Sequence, residues 1–488
     1  MQWSHYSEAI FDMWGSSASN IVVQACPGAG KTTNIAHLWG LDTKSTVYVV
    51  FNKQNQVEAQ QKLPPKADSA VLTTHSLGLR AISATYGRPE IDEKKVIKLV
   101  RQYVTPRLKT LVLPPKTKLS DLEWMVKRAV DVAKFSCEDT VCDDQTYREM
   151  VNTYDLEDYE GMQEDISTVL EENDERVGTI DFSDMIRLPA LYQCSMPQYD
   201  HILCDEVQDF NSMQARLIAQ LQGKKYALVG DRHQSIYGFR GAMLDSMDYL
   251  TEQFQCVELP LSISYRCGKA IVDEARAVWP CIEAWDHAGD GLVRYGEPDS
   301  EAILGELRGI TAPSMGMVLC RNNAPLIRYA YALLKAGIAC HVRGRSIGEG
   351  LTKLVQKFPV SSIRELLGCL AEWSELELSK ALVAEDDTQR ERIIDKRDSL
   401  LALAQQVTLD DHPSVLTEQI SELFAQGRGV VLSTVHKAKG LEAQQCYMLD
   451  HHLHGQAMQR TRTHWQREQE KNVLYVAVTR AKDGLMYC

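Results

Sequence analysis

The stretch NIVVQACPGAGKTTNIAHLWG, Asn20 to Gly40, narrows the folds open to this 488-residue chain more than any other part of it. An apolar run that reads as a buried strand ends at Ala25, a Gly/Pro-rich loop follows, and KTTNIAHLW begins a helix. That order aims backbone N–H groups of the loop and of the helix N-terminus at one point, which makes a cradle for phosphate oxygens. Gly28, Ala29, Gly30, Lys31, Thr32 and Thr33 form the expected cradle, with Lys31 on the β- and γ-phosphates and Thr32 on Mg²⁺. Ala25 stands where the usual pattern has its first glycine.

A partner to the cradle occurs in HILCDEVQDF, where an apolar strand delivers Asp205 and Glu206 at its C-terminal end, the edge at which α/β sheets bind ligands. Asp205 is expected to hold Mg²⁺, and Glu206 to orient and deprotonate an attacking water. Together the two stretches predict hydrolysis of a nucleoside triphosphate.

Short β-rich runs alternate with helical stretches along the chain: NIVVQA, TVYVVF, AVLTTH, HILCDE, YALVGD and CVELP, then GMVLC, ACHVR, VVLSTV and CYMLD. Continuous apolar strands of this kind predict parallel sheets covered on both faces, here two α/β cores. Two intervals interrupt the pattern and read as helical insertions. The predicted division is a first core at 1–90 and 181–260 with an insertion at 91–180, and a second core at 261–350 and 426–488 with a smaller insertion at 351–425.

The formal charge of −13 has one source. From Cys137 to Arg176 there are 15 acidic and 2 basic side chains, so that segment alone carries −13 and the remainder is balanced. Just before it, Lys94 to Lys134 holds 11 Lys and Arg against 3 acids. That basic block either tracks phosphates or forms a solvated helical face.

No window approaches the length of apolar sequence that a membrane span needs, so a cytoplasmic location and no membrane partner are expected. The 13 cysteines include no CxxC pair and read as reduced, mostly buried thiols, with Cys26 set apart as a loop thiol beside a lysine. The histidines of DHHLH, from Asp450, read as an exposed loop.

Several further stretches carry a family resemblance. GDRHQSIYGFRGA from Gly230, SYRC from Ser264, STVHKAKGLEA from Ser433 and NVLYVAVTRAK from Asn472 resemble, in order, the later motifs of UvrD/Rep-type superfamily 1 helicases, as DEVQD does. FNK at Phe51, TTHSLG at Thr73 and DFSDMI at Asp181 resemble earlier ones. The resemblance runs from about residue 20 to the end, leaves the two insertions largely unmatched, and points to a compact bacterial or phage-borne member. It implies two RecA-like P-loop NTPase cores that bind ATP and Mg²⁺ and move on single-stranded DNA and at duplex/single-strand junctions, 3′ to 5′. It implies arginine fingers at Arg266 and Arg480, a γ-phosphate sensor at Gln234, a base-stacking Tyr265 and a ribose contact at Glu442. For DNA it implies stacking or its support by Phe51, Tyr237 and Phe239, with Asn52, His75, Arg240 and His436 as polar contacts.

The family's adenine-reading glutamine near the N-terminus has no counterpart in HYSEAIF, and Thr33 stands where many relatives have arginine, so base selectivity is expected to be loose. Only DGLMYC follows the last motif, and no fused nuclease is expected there. The first functional reading is a translocase and helicase. The alternatives are a DNA-stimulated ATPase that remodels protein–DNA complexes or drives a replication, repair or nuclease partner, and a nucleotide-gated DNA-binding scaffold.

Overall fold

The computed structural model describes residues 3–110, 119–137, 139–154, 156, 158–236, 246–383, 387–425, 427, 429–461 and 464–488. The chain divides into two compact units, 1–262 and 263–488.

In the first unit the strands are β1 (Ile21–Ala25), β2 (Thr46–Val50), β3 (Ala70–Thr73), β4 (Glu90–Ile91), β5 (Thr179–Ile180), β6 (Gln198–Cys204), β7 (Gln222–Gly230) and β8 (Val257–Leu261). Six of them form one parallel sheet in the order β3-β2-β6-β7-β1-β8. Its central strands are apolar along their length because helices cover both faces; every residue of TVYVV in β2 is buried. Strand β7 lies between β1 and β6, with Gln24 in register with Gly230 and Leu228 with Cys204. The phosphate loop after β1 and the carboxylates after β6 therefore emerge at the same sheet edge.

The paired two-residue strands β4 and β5 form the neck of the first insertion. Its main helices are Lys95–Leu99, Leu119–Ser136, Asp144–Tyr154 and Met162–Glu175. They enclose an apolar centre of their own, including Val100, Val126, Val130, Ile166 and Leu170.

Beneath this neck lies a buried ionic network. Lys134 Nζ donates to Asp181 at 2.6 Å and to Asp184 at 2.7 Å, and Lys95 Nζ donates to the other oxygen of Asp184 at 2.8 Å. Arg187, fully buried, forms a forked pair with Asp174 and donates to the carbonyls of Lys134 and Cys137. The buried members of the basic block, Lys95 and Lys134, fit neither reading of it. Lys95 and Lys134 face inward onto Asp184 and Asp181, Arg101 pairs with Glu123 of its own block, and Arg107 pairs with Asp165 of the acidic helix.

The second unit contains β9 (Ile263–Ser264), β10 (Glu283–Ala284), β11 (Leu292–Tyr295), β12 (Gly316–Cys320), β13 (Cys340–Val342), β14 (Val430–Thr434), β15 (Ala443–Met448) and β16 (Ala481–Tyr487). Its main sheet is parallel, in the order β11-β16-β15-β12-β14-β13. The insertion here comprises helices Arg345–Gln356, Ile363–Val383, Asp387–Ala404 and Ser414–Leu423. Leu351, Leu366, Leu403 and Ile420 share one apolar cluster with Val318 and Leu432 of the sheet, so this insertion extends the core and does not form a separate one. Both units are thus RecA-like α/β cores with a parallel sheet and a helical insertion. No helix among the described residues is long and apolar enough to cross a membrane.

Candidate nucleotide and nucleic-acid site

In the first unit the loop after β1 turns at Gly28 (φ 76°) and Gly30 (φ 81°), left-handed positions that a side chain would strain. The helix Lys31–Gly40 starts directly after Gly30, leaving Thr32 and Thr33 exposed at its N-terminus. Cys26 departs from its expected reading as an open loop thiol. It is buried, and its Sγ donates to the Ser262 carbonyl at 3.0 Å, because the loop folds back against the end of β8.

Lys31 Nζ donates to Glu206 Oε2 at 2.7 Å. Glu206 reaches it because its backbone is left-handed (φ 53°, ψ 39°), uncommon for a residue with a Cβ, which turns the chain sharply after β6. Burial alone would lower the Lys31 ammonium, but the charges of Glu206, Asp205 and Asp231 outweigh it and leave its pKa raised. Asp205 is pushed up to about 6, by burial first and then by the adjoining Glu206 charge. One oxygen of Asp205 accepts the Glu206 N–H at 2.9 Å, and the other accepts the Tyr48 hydroxyl at 2.8 Å.

A second layer joins this pair to the loop after β7. Gln208 Nε2 donates to Glu206 Oε2 at 2.6 Å while its carbonyl oxygen accepts the Asp231 N–H at 3.0 Å. Asp231 in turn accepts from Gln234 Nε2 at 2.6 Å and from Gln24 Nε2 at 3.1 Å. Gln234 is therefore two hydrogen-bonded residues away from Glu206.

Three of the residues expected to meet DNA, Phe51, Asn52 and His75, lie on neighbouring turns of the same sheet edge. Phe51, after β2, is half-buried against the core. Asn52 caps the helix Lys53–Lys62, its side chain accepting the Asn55 N–H at 2.9 Å. His75 is half-buried near the start of the helix Thr74–Tyr86, where burial lowers its pKa. Tyr237, Phe239 and Arg240 lie outside the described residues.

In the second unit, β9 and β10 pair and set Tyr265 beside Trp285, ring centroids 5.8 Å apart, with 44% and 41% of the two residues exposed. Arg266 Nε lies 2.6 Å from Glu442 Oε2, and Lys482 Nζ 2.5 Å from Oε1. Burial pushes the Glu442 carboxyl up, but these two cations prevail and hold it below its usual range. Arg480 is 1% exposed and donates to the carbonyls of Val476 and Leu441. Burial first, and then the Arg266 charge, lower its pKa to about 10. His436 is half-buried on the short helix Val435–Ala438 that follows β14.

DHHLH is only in part the exposed loop expected of it, since His451 and His452 are exposed. His452 begins the helix His452–Arg460, and His454 is 1% exposed with neither ring nitrogen hydrogen-bonded. Among the described residues no three His, Cys, Asp or Glu side chains are placed to share a metal ion.

Sequence reasoning passed over Tyr48, Gln208, Trp285 and Lys482. A signal existed for Tyr48: a phenol inside an otherwise apolar buried strand needs a polar partner.

Residues 12–255 match the family model of the UvrD/REP helicase N-terminal domain, and residues 372–488 that of the UvrD-like helicase C-terminal domain. DNA helicase II of Haemophilus influenzae is 25% identical over 316 residues, 57% of this chain and 40% of that protein. F-box DNA helicase protein 1 of Schizosaccharomyces pombe is 25% identical over 309 residues, 59% of this chain and 34% of that protein. ATP-dependent DNA helicase UvrD2 of Mycobacterium tuberculosis is 27% identical over 344 residues, 58% of this chain and 46% of that protein. The chain thus spans less than half the length of these relatives. A solved arterivirus nonstructural protein 10 helicase aligns with 96% of this chain and 59% of its own at TM-score 0.34 and 13% identity. The N-terminal family model alone covers half of the chain, and with its C-terminal counterpart matched in the second unit, the chain belongs to the UvrD/Rep helicase family.

Proposed function

We propose that the chain is an ATP-dependent DNA helicase that translocates 3′ to 5′ on single-stranded DNA. The observation that carries the reading is the 2.7 Å contact of Lys31 with Glu206, beside Asp205, at the edge where the phosphate loop emerges. In this reading Lys31 is the phosphate-binding cation, Glu206 the water-orienting base and Asp205 the metal-binding carboxylate, and the contact supports it by bringing the three together.

Each residue then has a defined task. Loop N–H groups and Lys31 hold the β- and γ-phosphates, and Glu206 takes the proton of the attacking water. Gln234 senses the γ-phosphate, and Arg266 and Arg480 meet the charge that develops on it. Tyr265 offers a face to the base. The Thr32 hydroxyl and the Asp205 carboxylate are hard oxygen donors of the kind Mg²⁺ prefers, so these two residues would hold it. When bound, Mg²⁺ neutralises charge on the phosphate oxygens. Phe51, Asn52, His75, Tyr237, Phe239, Arg240 and His436 are assigned to the DNA strand. Hydrolysis and strand movement are coupled in this reading through the Glu206–Gln208–Asp231–Gln234 chain of hydrogen bonds.

The test is steady-state ATP hydrolysis with and without single-stranded DNA, with Glu206→Gln as the blank, followed by unwinding of a 3′-tailed duplex. DNA-independent hydrolysis would defeat the motor reading. Stimulation without unwinding would favour a translocase that drives a replication, repair or nuclease partner, a reading supported by the small size of the second insertion.

A further inference from the structure

Tyr48 has no task in the scheme above, although it touches a residue central to it. Strands β2 and β6 run parallel, with Tyr48 opposite Leu203 and Val49 opposite Cys204. Asp205 follows two residues after Leu203, so Tyr48 and Asp205 are diagonal neighbours on one face of the sheet. A phenol spans that diagonal, and its hydroxyl donates to Asp205 Oδ2 at 2.8 Å. Tyr48 is 2% exposed and Asp205 6%, so water does not substitute for the bond. The opposite oxygen is fixed by the Glu206 N–H at 2.9 Å. One donor on each oxygen removes the carboxylate's freedom to rotate, yet leaves each oxygen a second lone pair for another partner.

We infer that Tyr48 is a positioning residue for the metal site: its hydroxyl holds the Asp205 carboxylate in the one orientation from which it takes the divalent cation of the bound nucleotide. The inference rests on Asp205 being a metal-binding residue. A carboxylate held in place in advance loses less freedom on binding the cation, so the hydroxyl raises affinity for the metal–nucleotide complex without touching either component. Strand β2 leads within three residues to Phe51, so the strand that holds Asp205 also carries a residue assigned to DNA.

The experiment is equilibrium binding of a fluorescent ATP analogue, titrated with Mg²⁺ from an EDTA-buffered start, for the wild-type chain, Tyr48→Phe and Asp205→Asn. Phenylalanine keeps the ring that packs in the core, and unchanged melting of Tyr48→Phe certifies the fold. The expected result is that Tyr48→Phe needs about tenfold more Mg²⁺ to reach half of the metal-dependent gain in affinity, while its affinity in EDTA equals wild type. An unchanged Mg²⁺ midpoint, or an equal loss of affinity in EDTA, overturns the inference. Asp205→Asn separates the two layers of the argument. If it leaves the Mg²⁺ midpoint where wild type has it, the assignment of Asp205 itself fails.

Discussion

Replacing Glu206 by Gln should slow hydrolysis and tighten ATP binding at once, and the second effect follows from the geometry. Lys31 Nζ lies 2.7 Å from Glu206 Oε2, with the side chains 14% and 26% exposed. Lys31 must leave this partner, at least in part, to reach a phosphate. A hydrogen bond between charged groups in such a setting contributes about 1.5–3 kcal/mol. An amide oxygen accepts from the same ammonium with about half that strength, so Glu206→Gln lowers the cost of releasing Lys31 by roughly 0.7–1.5 kcal/mol. The expected gain in ATP affinity is about three- to twelvefold, since 1.4 kcal/mol is about a factor of ten. Turnover should fall by about 10²–10⁴, the usual contribution of a general base. Fluorescence anisotropy of a labelled ATP analogue gives the first quantity, and phosphate release under saturating ATP the second. A Glu206→Gln protein that binds ATP no more tightly than wild type would refute the proposed competition for Lys31, and one that hydrolyses at the wild-type rate would remove Glu206 from the chemistry.

Two further outcomes test other parts of the structure. Lys134→Met removes the cation shared by Asp181 and Asp184 and should cost about 3–5 kcal/mol. For a 262-residue unit whose unfolding entropy is about 2.1 cal/mol/K per residue, calorimetry should show the first unit melting about 5–9 °C lower; a shift under about 2 °C would mean the network is not buried as described. His454 is held neutral, its pKa pushed down to about 4 by burial and then by the Arg321 charge. Because its folded value lies below its unfolded value of about 6.5, its contribution is present above that pH and is lost as pH falls toward 4. Urea unfolding of the second unit should lose about 2 kcal/mol more between pH 7.5 and pH 5 in wild type than in His454→Leu, and parallel pH profiles would show that His454 is accessible to protons.

What could be read in the sequence was local. The loop CPGAGK needs left-handed backbone at Gly28 and Gly30, and that demand shows in the residues themselves. Strands such as TVYVV and VVLST are apolar throughout because both sheet faces are covered, and this too is visible in a short window. What escaped was set by partners far away in the chain. Arg107 and Asp165 are 58 residues apart, Lys95 and Asp184 89, Tyr48 and Asp205 157, and no spacing rule connects them. Cys26 was misread because its neighbour in space, Ser262, comes 236 positions later. His454 was misread because the tight turn at Asp450 (φ 46°) starts a helix within a stretch whose composition suggests a loop.

The pairing of the basic block with carboxylates of the same unit bears on how the protein responds to ionic strength. Of the 11 cations from Lys94 to Lys134, Lys95, Lys98, Arg101, Arg107, Lys127 and Lys134 already face a carboxylate. A side chain whose charge is matched within the fold displaces few condensed ions from a polyanion, so it adds little to the steepness with which affinity falls as salt rises. These six cations should therefore add little to the salt dependence of nucleic-acid binding by the protein.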